Sequence, residues 1–92
     1  MNPAQIAWKQ ISTWTKMACG AREAKASENE LTFKVHSKPM RFIQVAYQAG
    51  LDLYAVEYFR IKRGSYQRVT LESLEGVYAD QLSETIYHMV NK

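Results

Sequence analysis

The chain has 92 residues, 47% of them hydrophobic and 23% charged, a net charge of +3 and one cysteine. That length holds one core and predicts a single domain over residues 1–92, and that composition excludes a disordered chain. The lone cysteine excludes an intrachain disulfide and fits a reducing compartment. No apolar run approaches the roughly 18 residues a membrane span needs. The segment from Met1 to Trp8 lacks the basic stretch and apolar run of a signal peptide. The expected setting is therefore soluble and cytoplasmic, with no membrane contact. A domain this small leaves about a third of its unfolded surface exposed, so a homodimer interface is a natural cover for leftover apolar area.

Asn2-Pro3 predicts a helix start, because Asn can cap free N–H groups and Pro suits the first helical position. Ala7, Ile11, Trp14 and Ala18 then fall on one helical face, and Gly20 is a stop. Ser12-Thr13-Trp14-Thr15 is a poor helical run. Two readings of residues 4–19 follow: one helix throughout, or a helix to about Thr13 and then a short strand through Met17. Ala21 to Glu30 is polar and Ala-rich, an exposed last turn or a connection, with Ser27-Glu28-Asn29 in a loop.

Four runs rich in β-branched and aromatic residues come next: Leu31–His36, Arg41–Gln48, Leu53–Lys62 and Tyr66–Leu71. Ser37-Lys38-Pro39, Ala49-Gly50 and Arg63-Gly64-Ser65 separate them, the pattern of antiparallel strands joined by short loops. Leu31, Phe33 and Val35 alternate with Thr32, Lys34 and His36. Ile43, Val45 and Tyr47 likewise oppose Phe42, Gln44, Ala46 and Gln48. The third run is apolar on both sides, with Tyr54, Val56 and Tyr58 opposing Ala55, Phe59 and Ile61. It reads as a central strand with a bulge that switches the buried side. The fourth, through Val69 and Leu71, is shorter and more polar, as suits an edge. From Tyr78 onward Leu82, Ile86 and Val90 recur every four residues, with Asp80 and Glu84 favourably placed in the first turns. The predicted fold is α+β: an N-terminal helix, a four- to five-stranded antiparallel sheet and a C-terminal helix packed on one sheet face.

No catalytic, cofactor or metal site is expected. Cys19, His36 and His88 have no nucleophile–base spacing, and they supply too few ligands for zinc. Glu72, Glu75, Asp80 and Glu84 read as solvated charge, and Gly50, Gly64 and Gly76 as single turn residues. Charge is nevertheless divided along the chain. Residues 34–68 hold Lys34, Lys38, Arg41, Arg60, Lys62, Arg63 and Arg68 against Asp52 and Glu57. Residues 69–92 hold Glu72, Glu75, Asp80 and Glu84 against Lys92. The densest cations interleave with aromatics, so the candidate macromolecule-binding residues are Tyr58, Arg60, Lys62, Arg63, Tyr66 and Arg68. Such a hairpin contacts phosphates and stacks bases, binds an acidic protein patch, or merely keeps the strand ends solvated.

Three pieces carry a resemblance: Asn29–Lys34, Leu51–Ile61 and Glu75–Leu82. Their order resembles small uncharacterised proteins of bacteriophages and mobile elements. In those, an N-x-L-x-F-K strand precedes a D-x-Y-x-V strand, a basic hairpin and a G-V-Y-A-D-x-L segment that opens a final helix. The resemblance spans roughly residues 10–90. In that group T-G-A-K, preceded by a short strand, stands where this chain has Cys19-Gly20-Ala21-Arg22. It implies no chemistry, but it implies a phage setting, in which small proteins often bind host proteins. The expected function is a non-enzymatic phage or mobile-element accessory protein that binds a host or phage protein in a bacterial cytoplasm, as a homodimer. The alternative is nucleic-acid binding through the hairpin of residues 58–68.

Overall fold

The structure, a computed structural model, describes residues 2–36 and 40–91. Helix α1 (Pro3–Gln10) begins with a reciprocal cap. The Asn2 side chain accepts from the Gln5 backbone N–H at 2.9 Å, and the Gln5 side chain accepts from the Asn2 N–H at 3.2 Å. The helix ends at Ile11, whose backbone is extended. Ser12 then caps α2 (Thr13–Cys19), its Oγ accepting from the Thr15 N–H at 3.1 Å. Gly20 closes α2 in the left-handed region, at φ +63°. Residues 4–19 are thus two short helices at a corner, neither one helix nor a helix and a strand. The Ser-Thr run, unfavourable inside a helix, supplies a good cap at its start. Restarting at Ser12 also turns the face: Thr15 and Cys19 are buried, while Trp14, periodic with Ala7 and Ile11, is 64% exposed.

Ala21 to Glu30 is not simply a connection. Arg22–Ala26 forms strand β1, exposed along its whole length, because β2 (Glu30–Lys34) offers a ladder that its own composition would not specify. Strands β3 (Arg41–Gln48), β4 (Leu53–Ile61) and β5 (Arg68–Val77) complete a five-stranded antiparallel sheet in the order β1-β2-β3-β4-β5. The predicted Ser37-Lys38-Pro39 turn lies outside the described residues. Gly64, at φ +92°, lies in the loop between β4 and β5.

Two strand expectations need correction. β5 is ten residues long, not short, and runs on through Glu72 to Val77. The irregularities expected in β4 lie in β5, where the register shifts opposite Tyr54/Val56 and Tyr58/Phe59. Leu71 is an extra residue at one, and Gly76 at φ +69° serves the other. The second face of β4 is filled differently: Phe59 is buried because its open-face neighbours lie over it.

One sheet face carries Leu31, Phe33, Val35, Ile43, Val45, Tyr54, Val56, Tyr58 and Val77, all buried. The helices bring Ala4, Ala7, Ile11, Cys19, Leu82, Ile86, Met89 and Val90 onto it. α1 lies over β2 and β3, α3 (Leu82–Val90) over β4 and β5, and α2 packs against α3. The C-terminal stripe begins at Leu82, because Tyr78 keeps an extended backbone before the 3-10 turn Ala79–Gln81 and is exposed. The corner at Ser12 is pinned to α3. The Ser12 N–H donates to Ser83 Oγ at 2.8 Å, and that hydroxyl donates to the Gln10 carbonyl at 3.4 Å. Among the described residues no helix is long and apolar enough to cross a membrane.

Candidate macromolecule-binding site

The six residues singled out in the sequence divide among three places. Tyr58 is buried on the helix-covered face, because alternation along β4 sets it with Tyr54 and Val56. It is therefore apart from Tyr66, with which a shared surface was expected. Arg60 closes the same face at the sheet end. Lys62, Arg63 and Tyr66 lie in the loop, all exposed, and Tyr66 shows 76% of its surface. Backbone bonds hold this loop: Lys62 N–H to the Gln67 carbonyl at 2.7 Å and Tyr66 N–H to the Lys62 carbonyl at 2.8 Å.

Arg68 turns the other way. On the open sheet face it donates through Nε to Glu57 Oε2 at 3.2 Å and through Nη2 to Glu57 Oε1 and Gln44 Oε1. Its guanidinium lies 3.7 Å over the Phe59 ring, and Phe59 stacks on Phe42 at 5.4 Å. Thr70 donates its hydroxyl to Glu57, and Gln44 donates its amide to Glu30. Burial pushes the Glu57 carboxyl up, but the bonds from Thr70 and Arg68 and the Arg68 charge outweigh it, and the net shift is down. Arg68 is thus committed to a network across β2 to β5, and Lys34 is likewise paired with Glu23 at 3.0 Å.

The register adds a residue that the sequence reading left out of the site. Arg41 on β3 stands directly opposite Arg60 on β4. Arg41 donates toward the Tyr58 hydroxyl at 3.5 Å, and its guanidinium lies 5.8 Å from that ring. Arg41, Arg60, Lys62 and Arg63 have no carboxylate partner among the described residues. They share one end of the sheet, whereas Glu28, Asp52, Glu75 and Asp80 lie in the turns and strand ends at the other. The charge imbalance along the sequence becomes a charge gradient along the strands. Arg41 was findable only with the strand register, which apolar patterning does not fix to the residue.

The groups that suggested chemistry are occupied separately. Cys19 is fully buried, and burial raises its thiol despite a weak bond from Asn91 Nδ2 at 3.9 Å. His36 Nε2 meets the Ala18 carbonyl at 2.8 Å, and exposed His88 lies 3.6 Å from Glu84. No cluster of three or more His, Cys, Asp or Glu side chains suited to a metal occurs among the described residues. Comparison with protein-family models, with curated proteins and with solved structures finds no match to this chain.

Proposed function

We propose that the chain is a small non-enzymatic accessory protein that binds another protein through the basic end of its sheet. The motif resemblance adds a phage or mobile-element product acting in a bacterial cytoplasm. One observation carries the docking surface: Arg41 faces Arg60 across the β3–β4 ladder, and neither has a carboxylate partner among the described residues. Like charges directly opposite each other oppose strand pairing. An acidic partner surface relieves that repulsion, and Lys62 and Arg63 beside the pair speed and orient its approach. A second reading, nucleic-acid binding, is favoured by exposed Tyr66 beside these cations, since bases stack on such rings.

Affinity capture from a bacterial lysate with and without nuclease separates the two. The protein-binding reading expects a partner that survives nuclease and is lost with the Arg41→Ala/Arg60→Ala variant. Partners lost with nuclease favour the second reading. Duplex DNA affinity would then fall with salt at a log–log slope of about −0.9 per phosphate contacted. Arg60→Ala/Arg63→Ala would flatten that slope by roughly two.

A further inference from the structure

We infer that two copies of this chain pair through the outer edge of β5, about a two-fold axis, so that their five-stranded sheets join into one. This pairing is independent of the partner that the basic end takes.

The two edges of the sheet differ. β1 is five residues long, charged at Arg22, Glu23 and Lys25, and irregular at Glu23, where φ is +53°. Short, charged, irregular strands resist pairing with another chain. β5 is twice as long and carries Leu71 and Leu74, 40% and 50% exposed, on a ladder with no strand beyond it among the described residues.

Antiparallel self-pairing about an axis through the sheet requires that residues opposite one another point to the same face. In a regular strand, residues an odd number apart point to opposite faces. The extra residue at Leu71 changes this. The β4 register puts Arg68, Thr70, Ser73 and Glu75 toward the open face, and Val69 and Leu74 toward the helix-covered face. Pairing centred between Leu71 and Glu72 then sets Arg68 opposite Glu75 of the second copy, Val69 opposite Leu74 and Thr70 opposite Ser73. A cation meets an anion, an aliphatic meets an aliphatic and a hydroxyl meets a hydroxyl, each twice by symmetry. Arg68 spends Nε and Nη2 on Glu57 and Gln44, which leaves Nη1 for the second carboxylate.

The same arrangement accounts for the groove of about 370 Å³ between β5 and α3, where Leu74 and Met89 lie among Glu72, Glu84 and His88. The second copy's α3 comes alongside it, antiparallel, and brings Glu84 of one copy toward His88 of the other.

The test reads mass and register together. Sedimentation of the whole chain is expected to show a species of twice 10.6 kDa. Glu75→Arg should weaken the dimer roughly tenfold by setting a cation opposite Arg68 at both symmetry-related places. Leu74→Lys, at a half-exposed position, should give a monomer with an unchanged circular dichroism spectrum. Oxidised Thr70→Cys/Ser73→Cys should form a covalent dimer while each single variant does not, since positions 70 and 73 of one strand are too far apart to bridge. A chain that stays monomeric up to about 1 mM would overturn the inference. So would a dimer that the cysteine pair fails to trap, and this holds even if Leu74→Lys unfolds.

Discussion

Toward the helices, β2, β3 and β4 present Leu31, Phe33, Ile43, Val45, Val56 and Tyr58, all buried and apolar but for one hydroxyl. Toward the open side, the same strands present Glu30, Phe42, Gln44, Glu57 and Phe59, which are tied to one another and to β5 by hydrogen bonds, a salt bridge and ring stacking. Burial of aliphatic surface is strong and fixes which face turns inward, while a partly solvated polar network adds little stability but ties particular residues across the strands. Most of the burial energy therefore lies on the helix-covered side of the sheet, and the residue-specific polar ties lie on the open side.

Substitutions across the two faces can break that division. Phe33→Ala, at a fully buried site edge-on to Trp8, should cost about 3–5 kcal/mol in chemical denaturation. Should a similar loss follow a change in the open-face polar network, at Gln44, Glu57 or Thr70, the division fails. Gly20→Ala probes the layer's margin, since a Cβ there meets the His36 ring and Cβ at 2.5–2.6 Å and the backbone sits at φ +63°. A cost of roughly 1–3 kcal/mol is expected, visible as a lowered Tm.

On the open face, Glu57→Gln should cost only about 1 kcal/mol near pH 7. Because the folded Glu57 pKa is lowered, its contribution is complete above the unfolded value of about 4.3 and is lost as pH falls through the folded value. Unfolding measured from pH 6 to pH 2 should therefore show a shallower acid loss in the variant than in the parent. An equal acid loss would remove Glu57 from the network's electrostatics. Smallest, and opposite in sign, is Arg60→Gln. Relieving the Arg41 repulsion should stabilise the chain by about 0.2–1 kcal/mol while weakening partner capture.

The fold was legible where one periodicity acts alone. Strict alternation in β2 and β3 and the Leu82–Ile86–Val90 spacing of α3 each have one packing solution, and the structure has it. β1 was not legible, because Arg-Glu-Ala-Lys-Ala becomes a strand only when β2 supplies its ladder. The corner at Ser12 was hidden because a residue poor inside a helix is good at its start, and that choice decides which face Trp14 takes. The basic hairpin was visible as composition, but its partition was not. Arg68 resembles its neighbours in sequence and differs by a face, and Arg41 joins the group only through register.

The bond from Ser12 to Ser83 joins residues 71 apart along the chain. The sheet's hairpins each close a short loop, whereas this seam closes about three-quarters of the polypeptide, at an added entropic cost of about 2 kcal/mol. The expected order of folding is therefore sheet first and helical layer last. During synthesis, the part of the apolar side that lies over β4 and β5 stays bare until α3 emerges, so the interval between translation of β4 and of Val90 is when this chain is most open to self-association.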